Sequence, residues 1–365
     1  MIWHMIVRNV LHRPIRTVVS VIAVGVEVTL VLIIVGLTSG MLQETARRIE
    51  GVGADIMVQP PSASVFLAFS GAPMPIKIGE RLEQLKYVQA VAPVLLQFSS
   101  SSIDVIYGID QDSFRAVSGG FVFLQGHDME GPDDLLVDDW AAKAKHIQIG
   151  GTYRLLDHEF HVAGMVEHGK GARLFVPLTT LQDLVGGHDK VSVFFVKCTR
   201  PEHTPDVMDQ IRQLLPNYEI RPLKDYLSLM TASSLPGLDA FVESMVALAV
   251  AIGFLVIFLS MYTTVIERTR DIGILKSMGA SKGYIVKALL SETALICGGG
   301  IVVGLGMSFG VRAFFLHNFP TLSILFTVGW AARAAVIAVV GGLLGASYPA
   351  WLASRRDPIE ALAYD

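Results

Sequence analysis

Four apolar runs and one long mixed region divide the chain. Thr17 to Leu37 is apolar apart from Glu27, while Met245–Ile266, Thr293–Val311 and Ala334–Trp351 contain no charged residue. A helix needs about 20 apolar residues to cross a hydrocarbon core, so each run reads as a membrane span. The pattern predicts spans over 17–39, 243–266, 288–311 and 328–351. The first is longer than a signal-peptide core of about 7–15 residues and reads as an uncleaved span.

Residues 41–240, between the first two runs, follow a different rhythm. Short β-like runs at Ala54–Val58, Ala90–Phe98, Ile103–Ile109, Val191–Cys198 and Tyr218–Arg221 predict strands, and Gly79–Tyr87 and Thr204–Leu215 predict helices. The stretch 119–188 adds strand patterns at Leu135–Val137, Thr152–Leu156, Glu159–Val166 and Arg173–Val176. This order suggests an α+β domain of two βαβ-like halves, with 119–188 as a strand-rich insertion. The expected fold class is therefore membrane α-helical, with four transmembrane helices and one α+β domain.

Composition agrees with a chain of two parts. Of 365 residues, 52% are hydrophobic and 17% charged, too apolar for a soluble protein and too polar for a bare bundle of spans. A net charge of −4, with no basic, aromatic-interleaved face, gives no reason to expect nucleic acid. Cys198 lies in the mixed region and Cys297 in an apolar run, so no disulfide is implied. Charge placement orients the spans. Arg8, Arg13 and Arg16 precede the first span; Arg268, Arg270, Lys276, Lys282 and Lys287 fall between the second and third; Arg355 and Arg356 follow the fourth. The opposite loop, about 312–327, carries only Arg312. Such asymmetry puts residues 1–16, 267–287 and 352–365 in the cytoplasm and 41–240 outside.

The segment Glu267 to Ser281 lies between two spans that leave the membrane on one side. Ile272, Leu275 and Met278 recur at helical spacing, and Glu267, Arg268, Arg270, Asp271 and Lys276 supply polar faces. Gly279 is placed as a C′ glycine and Ser281 as the next N-cap. The sequence Glu267-Arg-Thr-Arg-Asp-Ile-Gly-Ile-Leu-Lys-Ser-Met-Gly-Ala-Ser281, continuing into Leu290-Ser-Glu-Thr-Ala294, resembles the signature of the MacB/FtsX/LolC-E permeases of type VII ABC systems. The ending Tyr348-Pro-Ala-Trp-Leu-Ala-Ser-Arg-Arg-Asp-Pro-Ile-Glu-Ala-Leu362 resembles that family's ending, and 147–178 resembles the strand-rich part of its periplasmic core.

That resemblance implies a permease subunit in a bacterial inner membrane, multi-pass with both termini cytoplasmic. It would pair with a second copy or a paralogue and with cytoplasmic ABC ATPase subunits, which hold the ATP and magnesium; no cofactor is expected on this chain. A periplasmic adaptor, an outer-membrane channel and membrane lipids complete the implied partners. Glu267, Arg268, Arg270, Asp271, Ile272, Leu275, Met278 and Gly279 would couple to the ATPase, and Glu292 matches a frequent acidic position after the coupling segment. The implied activity is movement or export of a lipid, lipoprotein, peptide or amphipathic drug. An FtsX-like subunit that switches an extracytoplasmic enzyme without transport is the alternative.

Other residues invite chemistry. Glu27 lies about 15 Å into its span, where an inserted carboxylate costs about 2.5–3.5 kcal/mol, so it must face protein or water or carry a proton. Gly164-Met-Val-Glu-His-Gly-Lys-Gly171 nearly spells a phosphate-binding loop but ends in Gly rather than Ser or Thr, and reads as a tight turn. Asp157-His-Glu-Phe-His161 with His168 suggests a metal cluster, yet His158 and His161 would point to opposite faces of a strand. No metal is expected. Gly300/Gly304, Gly306/Gly310 and Gly341/Gly345 have the small-xxx-small spacing of close helix packing. Asp357, Pro358 and Glu360 read as the start of a short terminal helix.

Overall fold

The computed structural model describes residues 14–61, 73–99, 105–225, 237–319 and 321–355. The N-terminal arginines Arg8 and Arg13 and the Asp357–Glu360 motif lie outside them. The described residues form two compact units: a helical one from residues up to Thr38, Gly237–His317 and Ile324 onward, and an α/β one from Ser39–Pro236 and Asn318–Ser323.

In the α/β unit the strands are β1 (Ile56–Gln59), β2 (Met74–Pro75), β3 (Val88–Phe98), β4 (Val105–Ile109), β5 (Phe123–Gly126) and β6 (Asp134–Asp138), then β7 (Thr152–Leu155), β8 (His158–Val166), β9 (Leu174–Pro177), β10 (Lys190–Val191), β11 (Val193–Cys198) and β12 (Glu219–Pro222). Ten of them form one sheet in the order β12-β1-β11-β3-β4-β9-β6-β8-β5, with β7 on β8; β2 and β10 pair separately. Pairing is antiparallel except at β4–β9 and β6–β8.

The strands of the stretch 119–188 share the sheet of their neighbours. β5 to β9 extend the sheet built by β1, β3 and β4, because β9 hydrogen-bonds β4 over Ile106–Ile109. Central strands are covered on both faces, which is why β11 reads Val-Phe-Phe-Val with no polar alternation. The covering helices are α2 (Ile78–Glu83), α3 (Gln111–Ser118), α4 (Asp139–Lys145), α5 (Leu178–Val185) and α6 (Thr204–Leu214). Phe114, Phe160, Phe175, Phe194 and Phe195 fill the core. α3, α4 and α5 are absent from the sequence reading. Asp110 opens α3 by accepting from the Ser113 amide at 3.0 Å, and Asp138 opens α4 by accepting from the Ala141 amide at 2.6 Å.

The helical unit contains the first part of α1 (Pro14–Glu50), then α7 (Leu238–Glu267), α8 (Thr269–Ser277), α9 (Lys282–Asn318) and α10 (Val328–Arg355). α1, α7, α9 and α10 are long and apolar enough to cross a membrane. All four overrun the spans read from sequence. With 37 residues α1 is about 55 Å long, well beyond a hydrocarbon core of about 30 Å. Its last turns keep burying apolar side chains, Leu42 and Ala46, within the α/β unit. α10 likewise continues through Pro349 to Arg355.

Glycines set the closest approaches. A Cβ on Gly304 would come within 2.7 Å of the Gly25 carbonyl of α1, and one on Gly300 within 2.5 Å of Val24. Thr29 fastens this contact, its hydroxyl donating to the Gly304 carbonyl at 3.0 Å. Gly345 lies on the Phe254 carbonyl of α7, while Gly341 makes an ordinary contact with Val250. Gly306 and Gly310 meet nothing within 4 Å. At 100° per residue Gly306 is turned about 200° from Gly304, so the second pair faces away from the helix the first pair touches.

Substitution at these two glycines should therefore part company. Gly304→Leu should lower the thermal midpoint of the detergent-purified chain, overpacking costing about 1–3 kcal/mol or more. Gly306→Ala should leave the midpoint unchanged or raise it slightly, since alanine is the better helix former by about 1 kcal/mol.

Candidate functional site

The segment between α7 and α9 is a short helix bounded by two defined breaks. α7 ends at Glu267; Arg268 leaves helical geometry at φ −107°, and α8 begins at Thr269. At its far end Gly279 takes φ +95°. The Gly279 amide donates to the Lys276 carbonyl and the Ala280 amide to the Leu275 carbonyl, both at 3.0 Å. This is a Schellman closure. Ser281 Oγ then accepts from the Tyr284 amide at 3.2 Å and opens α9.

Charge holds α8 in place. Glu292, on α9 and only 5% exposed in its side chain, pairs with Arg268 at 3.2 Å and with Arg16 of α1 at 4.0 Å. Arg16 also reaches Glu267 at 3.3 Å. Lys276 Nζ donates to the Ser354 carbonyl at 3.0 Å, in the last turn of α10, where a cation meets the negative end of the helix. One ion cluster thus ties together three long helices and the break before α8.

Two of the residues read as coupling to an ATPase are turned toward the bundle. Ile272 is buried in the apolar cluster of the bundle, so it anchors α8, and it forms part of the floor of the cleft beside α9. Arg268 pairs with Glu292 and is 13% exposed in its side chain. Leu275 is half-buried and lines, with Ile274, Tyr284 and Ala288, a cleft of about 330 Å³ between α8 and the first turns of α9. The large exposed side chains of the segment are Arg270, Asp271, Ile274 at 42% and Met278 at 79%. Ile274 was missed because three apolar residues in a nine-residue helix define two stripes, and periodicity alone does not say which faces inward.

Glu27 is buried with its carboxylate against Gly253 of α7, where a Cβ would overlap it; no polar partner for it occurs among the described residues. His158, His161 and His168 each pair with a separate carboxylate, Asp133, Asp134 and Asp139, at 2.8, 3.3 and 2.9 Å. No group of three or more ligating side chains that could hold a metal occurs among the described residues. In the loop resembling a phosphate cradle, Lys170 Nζ donates to the Ser118 carbonyl at 2.7 Å. Gly169 packs its carbonyl on Gly51, and Gly171, at φ +90°, lies on Tyr107 and Val52. The glycines serve close packing.

The α/β unit holds a buried polar cluster that the sequence reading missed. Asp138 ends β6 and Arg173 precedes β9; their side chains stand 3.8 Å apart, 1% and 7% exposed. Arg173 also donates to the Thr321 carbonyl at 3.2 Å and lies over the Trp140 ring. Arg48 is paired with Glu44 at 3.8 Å and adds its charge to the field at Asp138. Burial pushes the Asp138 carboxyl up to about 6, against the Ala141 amide and the two guanidiniums. The available signal was the placement of Asp138 and Arg173 at the ends of uninterrupted apolar strands.

Family comparison divides the chain similarly. A model of the MacB-like periplasmic core domain matches residues 17–214, and one of the FtsX-like permease C-terminal region matches 243–358. Among curated proteins the chain is similar to the macrolide export ATP-binding/permease protein MacB of Sodalis glossinidius (strain morsitans), 24% identical over 99% of this chain and 60% of that protein. It is also similar to the MacB of Hahella chejuensis (strain KCTC 2396), 26% identical over 96% of this chain and 58% of that protein. The chain thus spans about 60% of the length of these relatives. Among solved structures, the periplasmic region of MacB from Actinobacillus actinomycetemcomitans aligns with TM-score 0.39 and 17% identity, covering 50% of this chain and 95% of that one.

Two measurements follow from the charged clusters. Arg268→Met alone should destabilise the detergent-solubilised chain by about 1–3 kcal/mol, because Glu292 stays buried with only Arg16, 4.0 Å away, to balance it. The Arg268→Met/Glu292→Met pair should recover much of that loss in the same unfolding assay. Asp138 holds its proton to about pH 6 when folded but only to about 3.9 when unfolded. Between these values the native state binds more protons, so its contribution to stability is lost as pH rises through that window. Asp138→Asn keeps the acceptor for the Ala141 amide and should flatten the stability difference between pH 4 and 6.5, by roughly 2–3 kcal/mol relative to the parent.

Proposed function

Because the chain belongs to the MacB/FtsX family of type VII ABC permeases, we propose that it is the membrane subunit through which an ABC ATPase drives export of an amphipathic substrate. One observation carries the mechanism: α8 exposes Ile274 and Met278 at the turn between two membrane helices, with Arg270 and Asp271 beside them. The opposite side of α8 is anchored through Ile272, Arg268 and Lys276. A push on the exposed side is then borne by the bundle instead of being absorbed in a loop.

In this reading ATP and magnesium bind the ATPase, and this chain holds neither. The basic residues from Arg268 to Lys287 support a cytoplasmic position for α8 in the inner membrane, with both termini on that side and 41–240 outside. The MacB relatives are named for macrolide export, which supports an amphipathic drug, lipid or peptide as cargo. A second copy or paralogue would pair through the membrane helices, the open face at Gly306 and Gly310 allowing close backbone approach. A periplasmic adaptor and an outer-membrane channel would carry the cargo onward.

Substitutions on α8 test the reading. A fully buried apolar side chain contributes about 1.5–3 kcal/mol, an exposed rim charge about 1 or less. Met278→Asp and Ile274→Asp should each weaken retention of the ATPase at least ten-fold and depress substrate-stimulated ATP turnover in proteoliposomes. Arg270→Ala should do little. If Met278→Asp keeps both the ATPase and full transport, α8 is not the coupling element; if the ATPase binds but no cargo moves in the parent, the export reading falls and mechanotransmission replaces it.

A further inference from the structure

A second groove, of about 530 Å³, runs along the outside of α9 and reaches α10. Lys282, Val286, Lys287, Leu290 and Ala294 form one stripe of α9, and Leu343 of α10 closes the other wall. The charged and apolar parts are segregated along the axis. Lys282 and Lys287 stand at the end of α9 next to α8, where the polar sequence meets the apolar run. Ala294 lies about 10 Å further along the helix than Lys287, beside Leu343, within the uncharged stretch.

Neither ammonium group has a hydrogen bond or an acidic partner among the described residues, and the groove lining holds no carboxylate. Glu292, the nearest acid on α9, is buried and committed to Arg268. Both ammonium groups are exposed, while Val286, Leu290 and Leu343 are half-buried. A soluble protein could reach the lysines but not the apolar floor at membrane depth. A neighbouring membrane helix would cover that floor yet leave two cations unpaired at its rim. One molecule that matches both ends is a lipid whose headgroup carries net negative charge.

We propose that this groove binds an anionic phospholipid, with the phosphodiester held by Lys282 and Lys287 and an acyl chain lying over Leu290, Ala294 and Leu343. A zwitterionic phospholipid offers the same phosphate, but its own amine compensates the charge, so the lysine pair discriminates against it. Basic residues next to a membrane helix gain about 1 kcal/mol each from anionic headgroups, which is about five-fold in affinity apiece. The proposal needs only the membrane helices and stands whether or not an ATPase docks on α8.

The test uses the purified full chain in nanodiscs of phosphatidylcholine, with phosphatidylglycerol bearing a photoactivatable group in its acyl chain. Labelling should map to the peptide containing Leu290 and Ala294, and unlabelled phosphatidylglycerol should compete far better than phosphatidylcholine. Lys282→Gln/Lys287→Gln should cut the labelling on the order of 30-fold. Ala294→Trp should block it by filling the floor, leaving the lysines in place. The thermal midpoint should hold in the lysine variant, since both side chains are exposed. Equal competition by the two lipids, or labelling indifferent to the lysines, overturns the proposal. So does labelling that disappears as the chain self-associates at higher protein-to-lipid ratio, which would make the groove an interface between copies.

Discussion

A buried carboxylate must be paired, and the arrangement of the helical unit at α8 depends on how Glu292 meets that demand. Its side chain is almost fully enclosed between helices, where an isolated charge would cost several kcal/mol. Arg268 supplies the partner by stepping out of helical geometry one residue after α7 ends. The same step sets the angle at which α8 departs, turns Ile272 inward and leaves Ile274 and Met278 outward. Arg16 closes the cluster from α1, so three helices converge on one acid. The direction in which α8 presents its free face is therefore a consequence of electrostatics inside the bundle.

Much of this was legible in the sequence, and the limits were physical. The four apolar runs identify the long helices because a hydrocarbon environment demands length and tolerates few charges. The strands β3, β8 and β11 stand out because each carries a short run rich in apolar and β-branched or aromatic residues. The helix ends did not, since α1 and α10 continue past their apolar stretches by packing against protein. The short helices α3 and α4 carry too few apolar residues to show a period, and only Asp110 and Asp138 marked them; α5 has Leu178, Leu181, Leu184 and Val185 at helical spacing, but over only two turns. Membership of β9 in the same sheet as β4 could not be read at all, because a parallel pairing between distant segments leaves no local trace.

For the candidate site the split is similar. Gly279 declares itself, because only glycine readily takes the left-handed conformation that a Schellman closure requires. The orientation of α8 does not, because Ile272 and Ile274 are equally apolar and only the ion cluster decides between them. Gly300/Gly304 and Gly306/Gly310 have identical spacing and opposite surroundings, since spacing fixes a helical face but not what lies across from it. Asp138 and Arg173, far apart in sequence, meet only because β6 and β9 are neighbours in the sheet.

The continuous sheet has a consequence for how the α/β unit can be cut or grafted. β9 lies between β4 and β6, so the segment from β5 to β9 is half of a shared hydrogen-bonded plate. Excising it would strip β4 of its neighbour and turn a central strand into a bare margin of Ile, Tyr and Ile. Such margins recruit strands from other molecules. A minimal version of this domain must therefore keep the whole plate, and the natural places to shorten or extend it are its two outer borders, β12 and β5.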